Sequence, residues 1–409
     1  MDKSIIILLF ILIILLALCI YFVKYIHKSK FNSAAAGQNR HGGNYKKSNN
    51  ILNSAATGQN RHGGRVQVNR LNPLNPTVHT HKLTYSLFGD DGLDYSILKK
   101  MLNVWFVEVP NNVPYADLTW GVIDIKNHNL YPKDFYFQKA NLKSIFNASD
   151  TNKFTQKDLL LHSIHHHNKN LLPFIPKSQL LKDVHSTNNQ ILIVKVGTAY
   201  AQKGIQIVTT DRELHEAKKK FNPHSTIVSS YIRNPLLWKG KKFHLRPYIL
   251  VYYDDNRIFS FVHNVYRVFT ARKEYKQSDW LNTDIHITGA DPNDRTLDDR
   301  IEWPNDFDLS EDLLVTCNQS LDLCVSEICK LIESISPKPY PESNSAFEIF
   351  GPDIIIDDTG RAWLLEINKK CGFGIVGEKD TWGVFNKKRS QDFFSWVLDT
   401  IIFKHFKYN

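Results

Sequence analysis

A carboxylate at Asp353, a second at Glu366 and an amide at Asn368 are the side chains whose types and spacing most directly imply chemistry. They sit in FEIFGPDIIIDDTGRAWLLEIN, Phe347 to Asn368. There, two β-rich runs, Asp353 to Asp357 and Ala362 to Asn368, flank the turn-type cluster Asp358-Thr359-Gly360-Arg361. A two-residue loop at Thr359-Gly360 predicts a hairpin with Asp353 directly opposite Glu366, and such partners project from one face with Cβ atoms ~5 Å apart. Strand alternation returns Asn368 to that face. Two acids converging among Ile354, Ile355, Ile356, Leu364 and Leu365 repel unless a cation neutralises them. An all-oxygen donor set suits Mg²⁺, usually shared with nucleotide phosphates. A surface hairpin with solvated acids is the competing reading, and strands this apolar oppose it.

The chain around this hairpin has 409 residues, 42% hydrophobic and 12% aromatic, enough for a substantial core. Its formal charge of +10 favours acidic partners without choosing among nucleic acid, anionic lipid, nucleotide phosphates and acidic polypeptides. The cysteines Cys19, Cys317, Cys324, Cys329 and Cys371 show no C-x-x-C spacing, and Cys317 and Cys324 read as core thiols of a helix. This fits a reducing compartment and implies no disulfide framework.

Residues 1–3 form a short tail before Ser4 to Val23, an uncharged run long enough to cross a ~30 Å hydrocarbon core. Lys24, His27, Lys28, Lys30 and Arg40 follow it, against Lys3 and the terminal amine before it, which predicts a single span with the C-terminal mass in the cytosol. Residues 24–76 read as a flexible linker, in which NSAAAGQNRHGG at Asn32 to Gly43 recurs as NSAATGQNRHGG at Asn53 to Gly64. The folded part is expected over residues 77–409, with an N-terminal subdomain at 77–185 and a core at 186–409.

Strand and helix signals interleave from Lys82 onward. KLTYSLFG, NVWFVEVP and DLTWGVIDI read as short strands, and FTQKDLLLHSIHHH as one helix. ILIVKVGTAYAQKGIQIVTT, STIVSSYI, FHLRPYILVYYDD and RIFSFVHNVYRVFTA form a dense strand region, and helices near Leu313 to Ile335 and Gln391 to Phe406 bracket the hairpin. The fold class is therefore α+β with mixed, mostly antiparallel sheets, not a regular βαβ sheet. Lys195 lies inside the apolar strand ILIVKV, Arg246 in KKFHLRPYILV and Arg267 in NVYRVF. Each is costly to bury unless it meets a carboxylate or a phosphate. Gly197 and Gly204 bracket TAYAQK, a connection whose amides suit phosphates. His162, His165, His166 and His167 read as an exposed helix end, without an acidic partner that would make a metal cluster.

In their order these segments resemble the tubulin–tyrosine ligase-like family, whose fold is ATP-grasp. FTQKDLL resembles its helix motif around a phosphate-side lysine, here Lys157, and LLPFIPKSQLL its proline-rich segment. ILIVKVGTAYAQKGIQIV resembles its strand, Gly-rich loop and strand, with the nucleotide lysine falling on Lys195. SSYIRNPLLWKGKKFHLRPYILV is similar to QKYI-x-NPLL-x-x-GKKFDLR-x-YVLV, NVYR to the segment with a substrate-side arginine, HITG to HLTN, and GPDIIID with LLEIN to the two metal-binding strands. The likeness covers roughly Leu83 to Phe406. Four places depart from it: Ser229-Ser230 replace Gln-Lys, His244 replaces an aspartate expected near the ribose, Gly289 replaces an asparagine, and KKCGFG lacks the usual Ser-Pro.

The resemblance implies ATP-dependent ligation of a carboxylate to an amine through an acyl phosphate. It implies Mg²⁺ on Asp353, Glu366 and Asn368, and ATP held by Lys157, Lys195, Gly204, Tyr231, Ile232 and Lys242. Arg246 and Arg267 would be the catalytic pair on the acceptor carboxylate. The implied partners are a free amino acid (tyrosine, glutamate or glycine) and an acidic protein such as the tubulin C-terminal tail, with no nucleic acid. A catalytically weak, membrane-tethered adaptor binding acidic tails or microtubules is the alternative.

Overall fold

The computed structural model describes residues 82–88, 96–121, 138–198, 204–289, 301–340, 343–369 and 383–407, all within the unit Ile51–Asn409. The apolar span Ser4 to Val23, the duplicated linker and the middle of the Gly197-to-Gly204 connection lie outside those residues. Among the described residues no helix is long and apolar enough to cross a membrane.

In chain order the elements begin with β1 (Thr84–Phe88), α1 (Ser96–Leu102), β2 (Val107–Glu108), β3 (Tyr115–Gly121), β4 (Lys139–Lys143), α2 (Ala148–Thr155), α3 (Lys157–His167) and β5 (Ser178–Leu180). They continue with β6 (Leu192–Val196), β7 (Ile205–Val208), α4 (Asp211–Lys220), β8 (Thr226–Ser230), β9 (Leu237–Trp238), β10 (Lys241–Arg246), β11 (Ile249–Asp254), β12 (Arg257–Val262) and β13 (Arg267–Thr270). Last come α5 (Thr283–His286), α6 (Glu311–Ile335), β14 (Ser345–Ile356), β15 (Ala362–Lys369) and α7 (Gly383–Val397). The expected mixed α+β class is what forms. The helix expected over Gln391 to Phe406 starts earlier, at Gly383, and runs on through a π-turn at Leu398–Ile402.

Two sheets carry the architecture. In the larger one, parallel pairing is confined to β1 through β4 and the join of β4 to β14. From β14 onward it is antiparallel, with β11 and β12 on one side and β15 and the β10–β13 pair completing it. β14 is buried at every position because helices cover both of its faces. Ala346, Phe350, Ile354 and Ile356 pack into the core under α6, while Phe347 and Ile349 alternate into a second core with Leu98, Phe394 and Val397. Each fully buried Phe, Leu, Ile or Val among them contributes about 1.5–3 kcal/mol.

The smaller sheet, ordered β5-β8-β6-β7, is antiparallel throughout. Leu192 and Val194 of β6, with Val228 of β8, pack under Leu214 and Ala217 of α4. A capping box between Thr210 and Glu213 starts that helix. The alternate residues Ile193, Lys195 and Ser229 therefore face the other way, into a cleft also lined by Asp353 and Glu366.

One expected helix is two. FTQKDLLLHSIHHH breaks at Gln156, whose backbone is extended. The amide of Lys157 donates to the carbonyl of Gly197 (3.3 Å) instead of continuing the preceding helix. Lys157 thus begins α3, fastened to the end of β6. Gly197 can make this approach only because it lacks a Cβ, which would lie 2.5 Å from Asp158 Oδ1 and 2.6 Å from the carbonyl oxygen of Ser225. Gly197→Ala is expected to cost about 1–3 kcal/mol by overpacking and to lower Tm by roughly 3–8 °C in thermal unfolding. An unchanged Tm would show that the start of α3 yields freely.

Candidate active site

The β14–β15 hairpin places the two acids face to face, by a different route from the expected one. The connection has three residues, not two. Gly360 adopts a φ of +86°, and Asp357 Oδ1 accepts from Thr359 N (3.0 Å), Thr359 Oγ1 (2.6 Å) and Arg361 N (3.1 Å). That turn pairs Ile356 with Ala362 and Ile354 with Leu364. Continued unchanged, the register would set Asp353 against Leu365 and turn Glu366 to the opposite face. A β-bulge between Asp353 and Ile354 absorbs one residue, and Asp353 pairs with Glu366 and Gly351 with Asn368. Asp357 thus works in the turn.

Cations from two other elements neutralise the pair. Arg246 on β10 forks onto Asp353, with Nε donating to Oδ1 (2.6 Å) and Nη2 to Oδ2 (2.8 Å). Asn368 Nδ2 donates to Asp353 Oδ2 (3.0 Å) and to the Gly351 carbonyl (3.2 Å). Lys157 Nζ lies 2.9 Å from Glu366 Oε2. Burial pushes the Asp353 carboxyl upward, but the charges of Arg246 and His244 and the bonds from Arg246 and Asn368 outweigh it and hold the group below its usual range. Lys195, 6% exposed, is pushed down to about 8 by burial; Glu366 opposes that shift and Lys157 adds to it.

The face of β10 toward the cleft carries Lys242, His244 and Arg246, while Phe243 and Leu245 enter the core. Lys242 Nζ donates to the Tyr231 hydroxyl (2.8 Å), which lies 3.1 Å from His286 Nδ1. With His286 Nε2 donating to the Ser278 carbonyl (3.1 Å), Tyr231 passes its proton-side bond to Nδ1. Burial and then Lys195 push Lys242 down to about 7, and burial raises the Tyr231 phenol. His244 stacks on Phe269 (4.7 Å between ring centres) and sits 2.6 Å from Thr288 Oγ1 through Nδ1. Burial pushes it down to about 4 against the pull of Asp353. Arg267 pairs across the ladder with Arg246, and both guanidinium groups lie over Phe269, at 4.6 and 4.5 Å.

Ten of the eleven residues singled out from sequence thus meet at one place. Lys195, Tyr231, Ile232, Lys242, Asp353 and Glu366 line the cleft. Lys157 lines an adjoining hollow with Lys195, and Arg246 and Asn368 join through Asp353. Arg267 stands beside Arg246. Gly204, with a φ of +68°, pairs with Val196 at the mouth of the β6–β7 connection and does not line the cleft. His286 and Thr288 also line it, where only the match of HITG marks them in the sequence. The histidines His162, His165, His166 and His167 are exposed, as expected.

Among the described residues no cluster of three or more His, Cys, Asp or Glu forms. The donor set of two carboxylates and one amide oxygen nevertheless fits a hard divalent cation. Among the described residues Glu366 commits only Oε2, and Asn368 commits its nitrogen and keeps its oxygen. Asp353 would join them by exchanging Arg246 for the metal.

The Tubulin-tyrosine ligase family matches residues 126–373, more than half of the chain. Similar curated proteins include tubulin polyglutamylase TTLL5 of Mus musculus, 24% identical over 59% of this chain and 21% of the relative. The probable alpha-tubulin polyglutamylase Ttll1 of Tetrahymena thermophila is 24% identical over 67% of this chain and 68% of the relative. Tubulin polyglutamylase TTLL7 of Xenopus tropicalis is 30% identical over 36% and 19%. The chain thus spans about a fifth of the length of two of these relatives and about two thirds of the third. With the matched segment running through the cleft lysines, β10 and the acidic hairpin, the chain belongs to the tubulin-tyrosine ligase family.

Proposed function

We propose that this chain is an ATP-dependent carboxylate–amine ligase of ATP-grasp fold, adding an amino acid to an acidic protein tail such as that of tubulin. The observation that carries this reading is the meeting of Lys157, Lys195 and Arg246 with the oxygen donors Asp353, Glu366 and Asn368 at one cleft and the hollow beside it. A substrate carboxylate attacks the γ-phosphorus of ATP, the bond to the β-phosphate oxygen breaks, and ADP leaves an acyl phosphate. An amine then attacks the acyl carbon, phosphate departs with the C–O bond pair, and the new amide loses a proton.

Both steps gather negative charge at one point, so they require fixed cations and positioning more than a protein nucleophile. Lys157 and Lys195 hold the phosphates, and Arg246 and Arg267 hold the acceptor carboxylate and the acyl phosphate. The backbone of Tyr231-Ile232, with Lys242 beside it, holds the base. Mg²⁺ on Asp353, Glu366 and Asn368 would supply charge neutralisation of the phosphates. Since TTLL5, Ttll1 and TTLL7 are named as polyglutamylases, glutamate is the amino acid of choice, ahead of tyrosine and glycine. Ser4 to Val23 tethers the ligase to a membrane as a single span with its catalytic part in the cytosol.

The reading is tested by ATP-dependent incorporation of radiolabelled glutamate, tyrosine and glycine into purified tubulin by the full chain. Glutamate label is expected, and Glu366→Gln should reduce it by about 10²-fold or more. ATP binding without label would move the substrate away from tubulin, and neither binding nor label would favour the tethered adaptor.

A pH dependence follows from the buried lysines. Their folded-state pKa values lie below the usual lysine range, so charge is present below about 7 for Lys242 and about 8 for Lys195 and is lost above. The affinity for Mg-ATP, measured by calorimetry, should be flat with respect to these groups below about pH 7 and fall about tenfold by about pH 9. An affinity that rises over that range would remove both lysines from the phosphate site.

A further inference from the structure

β10 acts as a ruler under the cleft. Lys242, His244 and Arg246 share its cleft face at steps of ~6.7 Å, so Lys242 and Arg246 stand roughly 13 Å apart with His244 midway. Lys242 meets Tyr231 at one end, and Arg246 meets Asp353 at the other. A nucleoside triphosphate laid along this line, base at Tyr231-Ile232 and phosphates at the acidic hairpin, passes its pentose over His244.

At that midpoint the imidazole offers the ligand no polar atom. Nδ1 is engaged by Thr288 Oγ1 at 2.6 Å. Nε2 is buried, has no hydrogen-bond partner and lies 3.5 Å from Asp353 Oδ1. One ring face is covered by Phe269, at an interplanar angle of 18°. The carboxylate favours a proton on Nε2, and Thr288 then donates its hydroxyl to Nδ1, so both nitrogens are turned inward. His244 lines the cleft with neither nitrogen left to a ligand. A carboxylate at this place would accept hydrogen bonds from vicinal hydroxyls, and a site built that way rejects a ligand lacking them; an apolar surface does not.

We infer that this chain does not read the sugar hydroxyls of its nucleotide at His244, so that 2′-deoxy and 3′-deoxy nucleoside triphosphates bind nearly as well as the ribonucleotide. The inference rests on the nucleotide-binding reading of the cleft. It makes His244 a specificity-determining residue whose ring serves Asp353 and Thr288 and leaves the pentose unselected.

The test is equilibrium competition of ATP, 2′-deoxy-ATP and 3′-deoxy-ATP, each with Mg²⁺, on the full chain in detergent micelles. The three dissociation constants should agree within about threefold, and His244→Ala should shift them together, leaving their ratios unchanged. His244→Asp should favour ATP by about tenfold. A wild-type preference for ATP of about tenfold or more would overturn the inference while leaving the nucleotide reading intact, as would a changed ratio in His244→Ala. If His244→Asp does not fold, the wild-type ratio decides. Failure of all three nucleotides to bind would overturn the nucleotide reading and the inference with it.

Discussion

Two carboxylates facing each other at the edge of a hydrophobic hairpin are the constraint on which the site depends. Asp353 is 5% exposed, and an ionised acid so placed must be paired and hydrogen-bonded or it gives up its charge. The pairing comes from outside the hairpin: Arg246 reaches Asp353 from β10, and Lys157 reaches Glu366 from the first residue of α3. Meeting that demand sets β10 beside β14, with Leu245 paired to Ile354, and anchors α3 to Gly197. The same contacts bring together the smaller sheet, with Lys195 on its inner face, and the acids.

This arrangement also places the cations where a polyanion would need them. Lys195 and Lys242 are both buried and both depressed toward neutrality, a state that anionic phosphates reverse by favouring the ammonium. Arg246 and Arg267 lie next to each other over Phe269, two like charges whose adjacency makes sense beside carboxylates and phosphates. The cleft is graded along β10, from the Tyr231–His286 end to the acidic hairpin, and His244 marks the middle.

Much of the site was legible in the chain because alternation is a local rule. Lys195, Arg246 and Arg267 were conspicuous as charges inside apolar strands, and the same period that buries Val194 or Leu245 turns them toward the cleft. The facing of Asp353 and Glu366 was also legible, but not the turn that produces it. Asx bonding by Asp357 and the left-handed Gly360 make a three-residue loop, and only the bulge at Leu365 restores the pairing. Neither a bulge nor the break at Gln156 has a reliable local signal, because each is forced by a partner distant in sequence.

By itself the sequence determined the mixed α+β class, the alternation of buried and cleft-facing residues, and the family that these motifs share. Those properties follow from side-chain period and residue type, which act over a few positions. Tertiary structure decided which cation neutralises which acid, that the Tyr231 hydroxyl takes Lys242, and that His244 faces Thr288 with one nitrogen and Asp353 with the other. Such pairings depend on distances between elements as far apart in the chain as Lys157 and Glu366, set by how the two sheets and α3 pack and not by any segment alone.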